Sequence, residues 1–342
     1  MTRITVLTGG STPERDVAFA GAGQVVRALR RRGHEVAVVD TVSGPLDAAT
    51  ERALIEPGVG KQPPSLDELR ALAALERLQN LTDLPELRNA DVVFLVLHGR
   101  QGEGGEIQTL LESAGIAYTG SGPLASGLAM DKDIAKRLFR AAKIPTPDWE
   151  IWPVAAEAVT ALGFPLVVKP SKVGSSVGLS VVDSRNGLET AVSTALQYDD
   201  EVMLEQFVAG PEYTVGVLDD RALAVGEIIP QHSTFDYECK YTPGKTQEIF
   251  PAQVPNELTV LLQTLALRAH KALKLRDFSR VDFKVAGESG PQCLEVNTLP
   301  GLTGTSLLPQ SAAACGIEFA ELCEAICTTA LRRVQRGNKP GT

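Results

Sequence analysis

Short apolar runs alternate with a helical pattern in the first part of the chain. Residues 3–8 form an apolar run that ends at Gly9 and Gly10, a helical pattern covers 13–32, and 35–40 is the next apolar run. Parallel strands need a long crossover connection, which is usually a helix. This order predicts a βαβ unit, and therefore an N-terminal α/β domain with a parallel sheet.

The pattern changes along the chain from alternating helices and strands to mostly strands. Residues 43–88 are less regular, 231–246 are polar without periodicity, and Ile144-Pro-Thr-Pro147 is typical of a linker. We predict strands at 92–97, 116–119, 164–169, 179–182, 202–206, 212–218, 222–229, 280–285 and 293–296, and helices at 65–78, 131–142 and 318–333.

The last two apolar runs flank Gly287-Glu-Ser-Gly290, which is a strong signal of a hairpin. A four-residue turn at 287–290 would place Asp282 opposite Glu295 and Arg280 opposite Asn297. All four side chains would then lie on one face, because side chains alternate along a strand. The other, apolar face would hold Val281, Phe283, Leu294 and Val296.

Carboxylates that face each other repel unless a cation lies between them. Asp282, Glu295 and Asn297 offer the hard oxygen ligands that Mg²⁺ prefers when it is shared with a substrate phosphate. A solvated polar strand face, or a Lys284–Glu pair, would explain the same residues. The register is inferred, and a slip of one residue would remove this site.

The loop at 170–178 is the best of three glycine-containing candidates for phosphate binding. Its small residues let backbone N–H groups converge on an anion, and Lys169 emerges beside it from an apolar strand. An ordinary Gly-Ser hairpin is the alternative. Residues 241–246 end like a P-loop, but Cys239 stands where the first glycine is needed. Residues 120–125 lack the acidic residue for ribose recognition and indicate a tight turn.

Composition excludes several classes of protein. The chain has 342 residues, 44% hydrophobic and 22% charged, which is globular rather than disordered. Its net charge of −9 and pI near 5.1 do not favour nucleic acid or anionic membranes. The five cysteines lack a CxxC pair, so we expect reduced thiols. Cys323 and Cys327 are spaced i and i+4 on a predicted helix, and we expect them to pack into the hydrophobic core rather than bind a metal. No signal peptide or membrane span is evident, and we expect a cytoplasmic protein.

The chain carries, in this order, Lys132, Lys169, the glycine- and serine-containing loop at 170–178, and then Asp282, Glu295 and Asn297. This order of residues resembles that of the ATP-grasp enzymes, and among them that of the D-alanine–D-alanine ligase family. The likeness runs from about residue 3 to 330, although Gly104 stands where the family usually has Asp and Phe235 where Tyr is common. The motifs that carry it lie at 7–15, 98–108, 129–132, 169–178, 204–212, 236–241 and 294–308.

The resemblance implies a three-domain ATP-grasp fold, α/β and α+β in class. We expect an N-terminal parallel α/β domain at 1–122, a central subdomain at 123–209, and a C-terminal subdomain with the metal site at 210–342. ATP would be the co-substrate, with two Mg²⁺ or Mn²⁺ ions at Asp282, Glu295 and Asn297. The residues implied to bind ATP are Lys132, Lys169, Ser176, Glu205, Val208, Glu212 and Lys240.

The resemblance also implies the reaction. One D-alanine would attack ATP to give an acyl phosphate, and the amine of a second would displace phosphate to form D-alanyl-D-alanine for peptidoglycan. Arg280 and the N–H of Gly301 would stabilise the oxyanion, while Ser306 and Leu307 would receive the second carboxylate. His98 would meet substrate at the end of a strand, with a satisfied core histidine as the alternative.

Glu14 is implied to bind the first ammonium, although Ser11-Thr-Pro-Glu14 also fits a helix capping box. We expect Glu14, Ser175 and Tyr241 to form one hydrogen-bonded chain that favours a zwitterionic acceptor, unless Tyr241 is merely a packing aromatic.

Rival functions remain open at this point. They are a different ATP-grasp carboxylate–amine ligase, a D-alanine–D-hydroxy acid ligase, an ATP-binding sensor, and a dehydrogenase that would rest on 120–125 alone. The partners we expect are ATP, D-alanine and a second copy of the chain.

Overall fold

The first of three sheets confirms the predicted parallel α/β arrangement. The computed structural model describes residues 1–55, 64–76, 78–230, 246–287 and 290–337. The sheet has the order β3-β2-β1-β4, with β1 parallel to β2 and β4. Its elements are β1 (Arg3–Thr8), helix α1 (Arg15–Arg31), β2 (Glu35–Asp40), β3 (Gly44–Pro45) and β4 (Val92–Leu95). The predicted strand at 116–119 is reduced to one bridge between Val93 and Tyr118.

Short helices follow the strands of the first sheet. Helix α3 begins with a capping box, in which Ser65 and Glu68 satisfy each other's backbone N–H groups. The helices are α2 (Ala48–Ile55), α3 (Leu66–Leu75), α4 (Pro85–Arg88), α5 (Gly99–Glu103), α6 (Glu106–Ser113), α7 (Pro123–Met130) and α8 (Lys132–Ala141), with a 3₁₀ turn at Leu78–Asp83.

The second sheet is small and antiparallel, with the order β5-β8-β6-β7. Leu166, Val168 and Leu204 point into its own hydrophobic core, against the helices on one face. Its elements are β5 (Trp149–Trp152), α9 (Ala156–Leu162), β6 (Leu166–Pro170), β7 (Ser180–Val182), a 3₁₀ turn (Arg185–Gly187), α10 (Leu188–Ala195) and β8 (Val202–Gln206).

The third sheet is antiparallel, with the order β11-β10-β9-β12-β13. The elements of this part of the chain are β9 (Glu212–Leu218), β10 (Arg221–Pro230), β11 (Thr246–Ile249), α11 (Asn256–Ala272), β12 (Phe278–Ala286), β13 (Gly290–Asn297), α12 (Leu307–Ala313) and α13 (Phe319–Gly337). Helix α11, which we did not predict, packs on the sheet through Leu262, Leu265 and Ala269.

The hairpin of β12 and β13 has the predicted register where the charged residues lie. Asp282 pairs with Glu295, and Arg280 pairs with Asn297. The polar face predicted for this hairpin is therefore present in the fold.

Nearer the turn, the predicted pairing is wrong by one residue. Ala286 pairs with Gly290, so three residues rather than four connect the strands, and Phe283 pairs with Cys293. A bulge at Leu294 then restores the predicted register. The bulge also moves Leu294 off the apolar face, where Cys293 is buried instead.

One hydrophobic core joins the two ends of the described chain. We call the cluster that includes Val6, Leu29, Phe94, Leu302 and Ile326 the first core. Cys323 and Cys327 are buried in this core as free thiols, which confirms their predicted packing role. Each sheet lies inside one predicted domain range, and the exact boundaries stay predictions. None of the described helices is long and apolar enough to cross a membrane.

His270 makes the stability of the third sheet dependent on pH. Burial lowers the pKa of His270 to about 4, and its ring bonds the Ser279 hydroxyl at 2.8 Å. The folded pKa lies below the unfolded value, so the unfolded state binds more protons between pH 6.5 and 4. Stability should therefore fall by about 3 kcal/mol as pH drops through this window. Urea unfolding measured across this pH window should show that the free energy of unfolding falls less steeply in His270→Gln than in wild type. Equal slopes of the free energy against pH would contradict this assignment.

Candidate active site

A cleft between the second and third sheets collects the residues predicted to bind a nucleotide. Strands β6 and β8 form one wall, β9, β12 and β13 form the other, and the loop at 173–179 covers the top. Lys240 lies outside the described residues. The predicted residues that line this cleft are Lys132, Lys169, Ser175, Ser176, Glu205, Val208, Glu212, Asp282 and Glu295.

A buried chain of charges crosses the floor of the cleft. Glu205 accepts a hydrogen bond from Lys169 at 2.6 Å and another from Lys136 at 2.5 Å. Burial alone would raise the pKa of Glu205, but the two ammonium groups outweigh this effect and lower it. Burial lowers the pKa of Lys136 to about 8, although Glu205 opposes the shift. The Glu205 carboxylate is thus held between two cations.

Lys136 was missed by the sequence analysis. It is fully buried on α8, four residues after Lys132, and its ammonium also donates to Thr146 at 2.8 Å. Residues spaced i and i+4 share a helix face, and here the face also carries Ala135 and Phe139. A second lysine on the apolar face of a helix was the available signal.

Each of the two facing carboxylates, Asp282 and Glu295, lies beside a cation of the protein. Asp282 forms a two-bond pair with Arg280, at 2.9 and 2.7 Å, and Glu295 lies 3.3 Å from Lys132. Lys284 was the alternative explanation for this polar face through an ion pair with a glutamate, and its Nζ atom lies 3.4 Å from the Oε2 atom of Glu212. The negative charges of Asp282 and Glu295 are therefore balanced by cationic side chains, and the same oxygens could also coordinate a metal.

The hairpin residues fit a metal that is shared with a nucleotide. Asn297 donates from its amide nitrogen to Asp282 at 3.0 Å, which directs its carbonyl oxygen elsewhere, and Thr214 donates to the same carboxylate at 2.7 Å. No group of three or more His, Cys, Asp or Glu within the described ranges could hold a metal ion alone. Mg²⁺ commonly uses one or two carboxylates plus substrate phosphates, so this donor set is sufficient only with a phosphate present.

The loop at 173–179 reaches the N-terminal segment through Ser175. Ser175 and Ser176 have left-handed backbones, with φ of 54° and 58°, and the Ser175 hydroxyl donates to the Glu14 carboxylate. The predicted contact between these two residues is therefore present. Ser11 is not the N-cap of α1, since the helix begins at Arg15, so the capping-box alternative is wrong. Tyr241 lies outside the described residues.

His98 lies beside Glu14 and Arg280 at the end of β4. It is buried, and within the described chain its Nε2 atom has no hydrogen-bond partner. Burial lowers the pKa of His98, and Glu14 partly opposes this shift. A satisfied core histidine would bond both ring nitrogens, so this geometry favours contact with a ligand.

Glu103 is a second acidic group near Glu14 that the sequence analysis did not single out. Desolvation, together with the charge of Glu14, raises the pKa of Glu103 to about 8. Its neighbour Gly104 has no space for the family's Asp, because a Cβ atom there would lie 2.3 Å from the Arg100 carbonyl oxygen.

Gly301, Ser306 and Leu307 lie together in the segment that leads from β13 into α12. The Ser306 hydroxyl accepts from the Thr303 N–H at 3.0 Å, and a Cβ atom on Gly301 would lie 2.9 Å from it. Ser306 precedes the first helical residue, Leu307. The structure brings these residues together as predicted.

Two other sequence patterns depart from nucleotide sites where the structure describes them. Thr246 begins strand β11, whereas the last residue of a P-loop begins a helix, and residues 241–245 lie outside the described residues. Residues 120–122 connect to α7, which begins at Pro123, and Gly120 donates its N–H to Asp277 at 2.8 Å, so this connection joins the first and third sheets.

Comparison with known proteins shows similarity over almost the whole chain. Models described as D-ala D-ala ligase N-terminus and C-terminus match residues 3–121 and 138–328. A D-alanine–D-alanine ligase of Geotalea uraniireducens is 38% identical over 337 residues, 98% of this chain and 97% of the relative. One from Geobacter sulfurreducens is 39% identical over 343 residues, 98% and 96% of the two chains.

Solved structures are similar over the same extent. The Bacillus anthracis D-alanine–D-alanine ligase complexed with ATP has a TM-score of 0.79 and 30% identity, covering 99% of this chain and 100% of that one. The VanG D-Ala:D-Ser ligase of Enterococcus faecalis has a TM-score of 0.79 and 26% identity, covering 96% and 99%.

The charge chain predicts a strong effect of removing Lys136. Lys136→Met deletes one of two cations from a buried carboxylate, which should cost about 3 kcal/mol in the free energy of unfolding. The matched control is Lys271→Met, which makes the same change at an exposed position of α11. Urea unfolding curves of both variants measure the difference, and equal midpoints would show that Glu205 does not depend on Lys136.

Proposed function

The chain belongs to the D-alanine–D-alanine ligase family, and from this premise we propose which of its residues carry the reaction. The protein is an ATP-dependent ligase that joins two D-alanines to D-alanyl-D-alanine, releasing ADP and phosphate, for peptidoglycan precursor synthesis. The observation that carries the residue assignment is one cleft lined by all the described residues predicted for the nucleotide.

In the cleft, Lys132 and Lys169 hold the phosphates of ATP, and Ser176 adds a donor from the covering loop. Glu205 accepts from the adenine amino group, since a carboxylate that bonds two lysines still has lone pairs to offer. Glu212 binds the ribose hydroxyls and Val208 contacts the base. Lys240, which lies outside the described residues, also binds the phosphates. The contacts of Lys132 with Glu295 and of Lys169 with Glu205 in this cleft support these roles.

Asp282, Glu295 and Asn297 would hold two Mg²⁺ or Mn²⁺ ions against the phosphates. When bound, the metal supplies neutralisation of the charge that develops in phosphoryl transfer. Lys132 contributes to the same neutralisation from the protein side, because its ammonium lies 3.3 Å from Glu295 and also donates to the Val173 carbonyl at 2.9 Å.

The first step joins the carboxylate of one D-alanine to the γ-phosphorus, and ADP leaves. This oxygen is already anionic, so no general base is required. Glu14 binds the ammonium of this D-alanine, and His98 orients the molecule through Nε2. The contact of Glu14 with Ser175 supports this position, because it places the carboxylate under the loop that covers the cleft.

In the second step, the ammonium of the second D-alanine loses one proton to solvent, and the resulting amine attacks the acyl carbon. Arg280 and the N–H of Gly301 stabilise the tetrahedral oxyanion, which then expels phosphate as the C–O bond to phosphate breaks, and the remaining extra proton on nitrogen leaves with the phosphate. Ser306 and Leu307 bind the acceptor carboxylate. Glu14, Ser175 and Tyr241 form a chain that favours the zwitterionic acceptor.

A second acceptor is the one competing function that a specific observation supports. The VanG structure, whose name gives D-Ser, is as similar in fold as the ATP complex. A hydroxy acid such as D-lactate is a further candidate at the same subsite. We also propose that the enzyme works as a homodimer in the cytoplasm, where ATP is available and the four described free thiols stay reduced.

An acceptor panel tests this function. With ATP and Mg²⁺, phosphate release should require D-alanine, and mass spectrometry should show D-alanyl-D-alanine. L-alanine should give none, and D-serine or D-lactate should compete poorly at neutral pH. Phosphate release that does not depend on D-alanine would reject the function. Preferential incorporation of D-serine would instead assign a ligase that joins D-alanine to D-serine.

The metal assignment predicts that Glu295→Gln lowers kcat by about 100-fold or more, because charge neutralisation at the phosphates is lost. Glu150→Gln, an exposed change on β5, is the control. The unfolding midpoint without Mg²⁺ should stay close to wild type, since Glu295 is partly exposed. Wild-type turnover by Glu295→Gln at limiting Mg²⁺ would contradict the assignment.

A further inference from the structure

Glu103 uses both of its carboxyl oxygens to accept hydrogen bonds from backbone N–H groups. Oε2 accepts from the N–H of Gly99 at 3.1 Å, and Oε1 accepts from the N–H of Leu299 at 3.4 Å. The first bond is local to α5, while the second joins positions 196 residues apart in the chain.

The two amides belong to the two segments that carry substrate groups in the proposed function. Gly99 directly follows His98, and Leu299 lies two residues before Gly301. The backbone of Leu299 also interacts with the His98 ring and raises its pKa, against the larger effect of burial. One residue of the C-terminal segment is therefore contacted by both Glu103 and His98.

Other contacts fix the α5 segment but do not reach the C-terminal one. A Cβ atom on Gly99 would lie 2.9 Å from the Thr12 side chain, and Gln108 donates to the Gly102 carbonyl at 2.5 Å. These neighbours, the loop after β1 and α6, both belong to the N-terminal domain. The Glu103 side chain, in contrast, joins the last residue of α5 to the Leu299 N–H.

We propose that Glu103 is a positioning residue, whose carboxylate sets the distance between His98 and the Gly301 N–H. The inference rests on the proposed function, because it assigns a purpose to the relative placement of those two groups. The first D-alanine must contact His98 while its acyl oxygen lies at Gly301. An error of about 1 Å in such an arrangement can cost about 100-fold in rate.

Glu103→Gln tests this role with little change in volume. Both oxygens of the Glu103 carboxyl group can accept an N–H even when the group carries a proton, because the hydroxyl oxygen keeps acceptor capacity. An amide offers one acceptor oxygen, and its NH₂ group would face the second backbone N–H, so only one of the two bonds can form. We expect kcat to fall 10- to 100-fold, weaker inhibition by a phosphinate analogue of the tetrahedral intermediate, and an ATP dissociation constant within about two-fold of wild type. Glu106→Gln, an exposed change three residues further on, is the control.

The outcomes separate the role from the function itself. Turnover of Glu103→Gln equal to that of Glu106→Gln would overturn the proposal, and so would parallel losses of ATP affinity and stability, which indicate a structural role. If Glu103→Gln does not fold, Glu103→Asp decides, since it keeps both oxygens but shortens their reach. A selective kcat loss in Glu103→Asp supports the proposal, and wild-type kcat overturns it. Wild-type protein without ligase activity would instead reject the proposed function.

Discussion

The balance of buried charge in the cleft is the constraint on which the rest of the site depends. A site for polyphosphate needs several cations, yet ammonium groups removed from water without partners cost several kcal/mol each. The protein solves this by placing a carboxylate against each cation. The pairs are Lys132 with Glu295, Lys169 with Glu205, and Arg280 with Asp282. A nucleotide would then share cations that the fold has already compensated, and two of the same carboxylates remain available as hard ligands.

Burial, rather than the turn, makes the hairpin predictable from sequence. Counting across a four-residue turn gave the right pairing of Asp282 with Glu295, although the turn has three residues. The pairing is right because Val281 and Val296 must both face the core, which forces the charged residues onto the other face. The bulge at Leu294 absorbs the difference in turn length. A strand face is thus specified by its apolar partners, while turn length is only locally specified.

Local sequence patterns could not predict contacts between segments that are far apart in the chain. The glycine and serine loop, the cleft lysines and the βαβ unit all have signals in a few neighbouring residues. Glu103 and Lys136 have roles only through groups far away in sequence, at Leu299 and Glu205. The helix at Asn256–Ala272 was missed for a different reason. Its buried positions are mostly Leu and Ala in a region that we left without an assignment, although their spacing is helical.

The site divides into two halves that rest on different cores. The segment after β13 follows the third sheet in sequence, yet Leu299 and Leu302 are buried in the first core, and Gln24 of α1 accepts from the Gly304 N–H at 2.6 Å. His98 and Gly301 are therefore anchored on the same core, whereas the residues proposed to bind the nucleotide lie on the second and third sheets. Ser175 connects the two halves by donating a hydrogen bond to Glu14. The loop at 173–179, which covers the proposed nucleotide cleft, is thereby bonded directly to the residue proposed to bind the first ammonium group.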